Sequence, residues 1–128
     1  MDDLQKLKAV KEAYGRMKQA RLLYEERKSR AESTTKPIGG NKVQGNEQNW
    51  QEEAIVKMIE AKDFYADCVS AYIDALREGI AVVDRIQDPL DFDIVYKRYI
   101  HFRTWKQITE ETGYAITYCM KRHKSMLL

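Results

Sequence analysis

The feature that most limits what this chain can fold into is the spacing of its apolar residues. They recur at steps of three and four along nearly the whole chain, and no stretch alternates with a period of two. Every apolar run therefore predicts a helix, and none predicts a strand. The pattern is fullest over residues 48–87. One seam there is Ala61, Tyr65, Cys68, Tyr72, Ala75, Gly79, Val82 and Ile86; a neighbouring one is Val69, Ile73, Leu76, Ile80 and Val83. Trp50, Ile55, Met58 and Ile59 begin the same face. Two adjacent seams make an apolar face too wide for a single partner helix to cover.

Residues 2–32 predict a first long helix. Leu7, Val10, Tyr14, Met17, Arg21 and Tyr24 form its single narrow seam, spaced as in a coiled coil. Asp2 and Asp3 suit the positive end of its dipole. Gly15 is expected to mark the close approach of a partner helix, since an interior glycine otherwise costs roughly 1 kcal/mol. This helix can cover one seam of the second; another protomer or the C-terminal residues must cover the other.

Between them, residues 33–49 hold Pro37, Gly39, Gly40 and Gly45 among Ser, Thr and Asn, and predict a mobile loop. Gly39-Gly40 is no phosphate cradle, because no Lys-Ser/Thr follows and no strand precedes. Asp88 and Pro89 are a cap and a first helical residue. They end the second helix and open a third near Leu90–His101, with Phe92, Val95, Tyr96, Tyr99 and Ile100 as its apolar residues.

Thr104 and Gln107 have the spacing of a capping box, which starts a helix over about 105–112. Gly113 supplies the positive φ that stops it. Tyr114 is read as an apolar plug after the turn. A last helix follows from about Ala115 to Leu127, with Cys119, His123, Met126 and Leu127 on its inner side. Ile116, Thr117, Met120, Lys121 and Lys124 fall on the opposite side.

The fold class expected is all-α. Two long antiparallel helices joined by the Gly/Pro loop make residues 1–88. A C-terminal three-helix helix-turn-helix unit makes residues 89–128.

Charge supports a role for the tail. The chain is +2 overall, but residues 1–32 carry +3, residues 33–94 carry −6 and residues 95–128 carry +5. A chain that gathers positive charge at one end suits a polyanionic partner there. In a helix-turn-helix the second helix enters the major groove with its early residues at the base edges. Thr117 can then bond a base or phosphate, and Ile116 or Met120 can touch a thymine methyl. Lys121 and Lys124 suit phosphates, and Arg103 and Lys106 suit the backbone near the first helix.

The segment from Arg98 to Leu127 resembles the ArpU/RinA-like group, small helix-turn-helix regulators of phages of Gram-positive bacteria. Their tails are similar to the promoter-reading region 4 of sigma factors. Arg98-Tyr99, Thr104-Trp105, Ile108, Gly113-Tyr114 and His123 carry the likeness. The segment from Thr34 to Gly40 resembles a T…P-x-GG loop of the same group. The chain departs from the pattern at Phe102, where a turn glycine is usual, and at Thr109, Thr112, Ala115 and Cys119. The resemblance implies a phage-encoded, DNA-binding transcriptional regulator of late genes. A single small reading module buries limited surface and needs two half-sites, so a homodimer built by the long helices is expected, in the host bacterial cytoplasm.

Two other readings stay open. One is an interaction protein whose sigma-like tail binds host RNA polymerase or another host protein. The other is a small terminase subunit.

Other classes lack their residues. Cys68 and Cys119 are far apart, and His101 and His123 are too isolated for a metal site. Glu52-Glu53 and Glu110-Glu111 are adjacent, so each pair diverges on a helix and makes a poor acid–base couple. No enzyme, cofactor or metal is expected. The start MDDLQKLK has no apolar leader and no run reaches membrane-spanning length, so a soluble cytoplasmic protein is expected.

Overall fold

In a computed structural model, residues 1–35 and 45–127 are described. They form five helices: α1 (Asp3–Thr35), α2 (Gly45–Asp84), α3 (Pro89–Tyr99), α4 (Trp105–Thr112) and α5 (Ile116–Leu127). Among the described residues there is no strand. The loop expected over 33–49 is shorter at both ends, because residues 33–35 and 45–49 are helical. Polar residues cost a helix only tenths of a kcal/mol each, too little to stop it against cooperative extension. The Pro37 and Gly39-Gly40 part of the expected loop lies outside the described residues.

The chain divides into two compact units, residues 15–70 and residues 1–14 with 71–128. Each contains parts of both long helices.

In the first unit, residues 15–70, small side chains are buried: Ala20, Ala31 and Ala61. Tyr24 and Tyr65 stack with ring centroids 6.2 Å apart. Exposed i,i+4 ion pairs Arg21–Glu25, Arg30–Glu26 and Lys57–Glu53 lie along the helices, each worth only a few tenths of a kcal/mol.

The second unit, residues 1–14 and 71–128, holds the larger core. Asp2 and Gln5 cap α1 reciprocally, each side chain accepting from the other's backbone N–H at 2.8 and 3.0 Å. Leu7, Val82, Val83 and Val95 are buried together, ringed by Ile86, Phe92, Tyr96, Tyr99, Ile100, Met126 and Leu127. The close approach of helices falls at Gly79, where a Cβ would meet Val10 Cγ2 at 2.7 Å. At Gly15, the position expected from sequence, a Cβ would meet nothing within 4 Å.

α2 ends at Asp84, earlier than Asp88-Pro89 suggests. Its last turn tightens, with the Arg85 and Ile86 N–H groups bonding the Val82 and Val83 carbonyls. Asp88 caps α3 as expected, accepting from the Leu90 and Asp91 N–H groups at 2.9 and 3.0 Å, with Pro89 in the first turn. α3 is buried on two sides. Val95 joins the core just described, while Ile94, passed over in the sequence, packs with Ile108 and Cys119 in a second cluster beside Leu90 and Trp105.

Candidate nucleic-acid interface

The tail is positioned by local chemistry at the two turns that join α3, α4 and α5. At Ile100–Thr104 the chain leaves α3 through Phe102, whose φ of 56° is left-handed. Its ring lies 5.0 Å from that of Tyr14, and the Arg103 N–H reaches back to the Lys97 carbonyl at 2.9 Å. Thr104 and Gln107 then form the expected capping box, with both reciprocal bonds present at 3.0 and 3.2 Å. At Gly113, φ is 79° and the N–H bonds the Thr109 carbonyl, so α4 stops where the sequence predicts. The Thr112 hydroxyl donates to the Ile108 carbonyl at 2.7 Å and tightens the same turn. Ala115 gives α5 no side-chain cap, and the Cys119 N–H bonds the Ala115 carbonyl.

One side of α5 faces inward. Cys119 is fully buried on Ile94 and Ile108, and Met126 and Leu127 pack on the larger core. His123 stacks on Tyr99 at 5.5 Å, shares a hydrogen bond with its hydroxyl at 2.5 Å and meets the Trp105 ring edge at 5.1 Å. Burial, with Arg98 and Lys8 nearby, holds the imidazole below its ordinary pKa, and burial raises the Tyr99 phenol. The Thr109 hydroxyl is buried with no hydrogen-bond partner among the described residues. The position where a small apolar residue suits a close crossing thus holds an orphaned polar atom, at a cost of roughly 1–3 kcal/mol.

The other side of α5 is exposed, and Ile116, Thr117, Met120, Lys121 and Lys124 all lie on it. Ile116 and Met120 are 43% and 44% exposed, high for such side chains. Lys106, near the start of α4, is exposed too. No described carboxylate lies within ion-pair distance of Lys106, Lys121 or Lys124.

The tail's arginines differ. Arg103, expected to grip a phosphate backbone, is exposed but its Nε lies 3.3 Å from Glu111. Glu111 also binds Lys97, itself paired with Asp93. Burial works against the charge on Lys97, but the two carboxylates outweigh it and raise its pKa. Arg98 lies over the Trp105 ring and donates to the Arg103 carbonyl. Arg122 bonds Asp91 through Nε at 2.6 Å, lies 3.3 Å from Asp88 and donates to the Tyr118 hydroxyl at 3.0 Å. The bond to Asp91 leads in raising its pKa. Backbone N–H groups of Asp91 and Leu90, with Arg122, lower that of Asp88 despite some desolvation.

Two exposed residues were missed or misjudged. Tyr114, expected as a plug after the turn, is instead 46% exposed, and its ring stacks on that of Tyr118, itself 40% exposed, at 5.2 Å. The i,i+4 spacing of the two tyrosines was the available signal. Arg122 counts in the sequence as one more tail cation; nothing local reveals its acidic partners on α3.

No three His, Cys, Asp or Glu side chains gather into a possible metal site among the described residues, and no described helix is long and apolar enough to cross a membrane. Comparison with known proteins finds no matching family model, no matching curated protein and no matching solved structure.

Proposed function

We propose that this chain is a helix-turn-helix DNA-binding protein. Two long antiparallel helices hold the α3–α5 unit, and α5 enters the major groove of a duplex. The reading carries with it, through the resemblance, a phage-encoded transcriptional regulator of late genes; the small size of the reading module adds a homodimer, acting in the host cytoplasm. One observation supports it above the rest. The outward side of α5 combines two lysines that have no ion-pair partner among the described residues with a hydroxyl and two exposed apolar side chains, while the neighbouring arginines are engaged with the protein itself. A plain solvated helix does not need such a division.

The test is an electrophoretic shift with duplex DNA over a range of salt. The double variant Lys121→Ala, Lys124→Ala removes two phosphate contacts. It is expected to weaken binding to all sequences and to reduce the slope of log K against log[salt] by about 2. Unchanged binding would reject this face.

A second reading has its own observation. Tyr114, Ile116, Tyr118 and Met120 together expose more apolar surface than phosphate binding requires. A protein partner such as host RNA polymerase suits that surface. Binding of the pure chain to pure polymerase, with DNA absent, separates the two readings.

A further inference from the structure

The chemistry available on α5 limits which base edges it can recognise. Guanine is read by an arginine or a lysine at O6 and N7, adenine by an Asn or Gln amide, and cytosine by a carboxylate. α5 runs ITYCMKRHKSML and contains no Asn, Gln, Asp or Glu. Its one arginine, Arg122, is held by Asp91, Asp88 and Tyr118, and swinging it outward would leave both carboxylates without their cation. Arg98 and Arg103 are engaged on Trp105 and Glu111. Gln107 spends its amide oxygen on the α4 cap.

What remains near the start of α5, where base edges are met, is apolar apart from the Thr117 hydroxyl. Ile116 and Met120 are one turn apart on one side of the helix, Tyr114 is exposed just before it, and Thr117 adds a methyl and a hydroxyl. Lys121 and Lys124 lie further along, where a flexible point charge suits phosphate. The one base group in the major groove that is apolar is the thymine C5 methyl.

We infer that the exposed side of α5 reads duplex DNA through thymine methyl groups, with Ile116 and Met120 as the specificity-determining contacts. This rests on the DNA-binding reading above and adds the chemical class of site it takes. Replacing thymine by deoxyuridine tests it, because the substitution deletes only the methyl and keeps the base pairing.

The full-length chain is first used to select duplexes from a randomised pool at fixed salt. The enriched sites are then rebuilt with deoxyuridine in place of thymine. The expected result is enrichment of thymine and a loss of affinity of about fivefold or more on removing the methyls, in line with the range for one or two base contacts. That loss disappears in Ile116→Ala, Met120→Ala, a pair already exposed in the fold, if those side chains are the readers.

Equal affinity for the uracil duplex, or enrichment of guanine with sensitivity to loss of its N7, overturns this inference while DNA binding stands. Failure to retain any duplex overturns both. The uracil comparison uses the unaltered protein, so it decides even if the variant folds poorly.

Discussion

Gly79 and Gly15 show how differently the same residue type acts at two places. A Cβ at Gly79 would overlap Val10 within the core of its unit, while one at Gly15 would meet nothing. Gly79→Ala is expected to lose about 1–3 kcal/mol through overpacking. Gly15→Ala, in helical backbone, is expected to gain about 0.5–1 kcal/mol. Urea denaturation of the two variants measures both; equal shifts would mean the helices approach elsewhere. Phe102 is the converse case, a bulky residue in left-handed backbone at a cost of roughly 1–3 kcal/mol. Its ring contact with Tyr14 offsets part of that cost.

At the scale of the element, α5 is fixed by two kinds of contact. Arg122 ties its middle to the N-terminal end of α3, where Asp88 and Asp91 already accept or balance charge. His123, one residue on, sits among Tyr99 and Trp105, with the Arg98 and Lys8 charges disfavouring its protonation. Its folded pKa lies below the ordinary 6.5. The neutral ring therefore contributes stability that is complete above about pH 6.5 and declines as pH falls through the folded pKa. Thermal melts between pH 7.5 and 5 are expected to show this decline, reduced in His123→Gln. Identical pH profiles for the two proteins would count against the packing of His123 described here.

At the scale of the whole molecule, the uneven charge has a structural counterpart. The acidic middle of the sequence supplies Asp88, Asp91 and Asp93, which hold cations of the tail, so the +5 counted there is not all free. The chain also leaves Ile55, Ile59 and Ile73 of α2 exposed, members of the wide apolar face that one partner helix was not expected to cover. Under the proposed function a second copy covers them, since reading of duplex DNA by so small a module gains from two half-sites. Light scattering is expected to give twice the mass of one chain, and Ile59→Glu to return it toward one. A monomer of the unaltered protein at high micromolar concentration would reject this.

How much was legible follows from the range of each interaction. The helical class, the Asp88 cap, the Thr104–Gln107 box and the stop at Gly113 depend on contacts within a few residues. Composition and spacing determine such contacts, because a side chain three or four positions away is always within reach in a helix. The inward side of α5 was legible for the same reason, through the 4 and 3 steps of Cys119, His123 and Met126. Tertiary structure alone decided that Gly79 rather than Gly15 meets a neighbour, that Ile94 is core, and that Tyr114 faces outward. It alone paired Arg122 with an aspartate 31 residues earlier, leaving lysines rather than arginine on the open side of α5. Such pairings depend on how helices cross, which a periodic pattern allows in several ways and only the packing of whole elements selects.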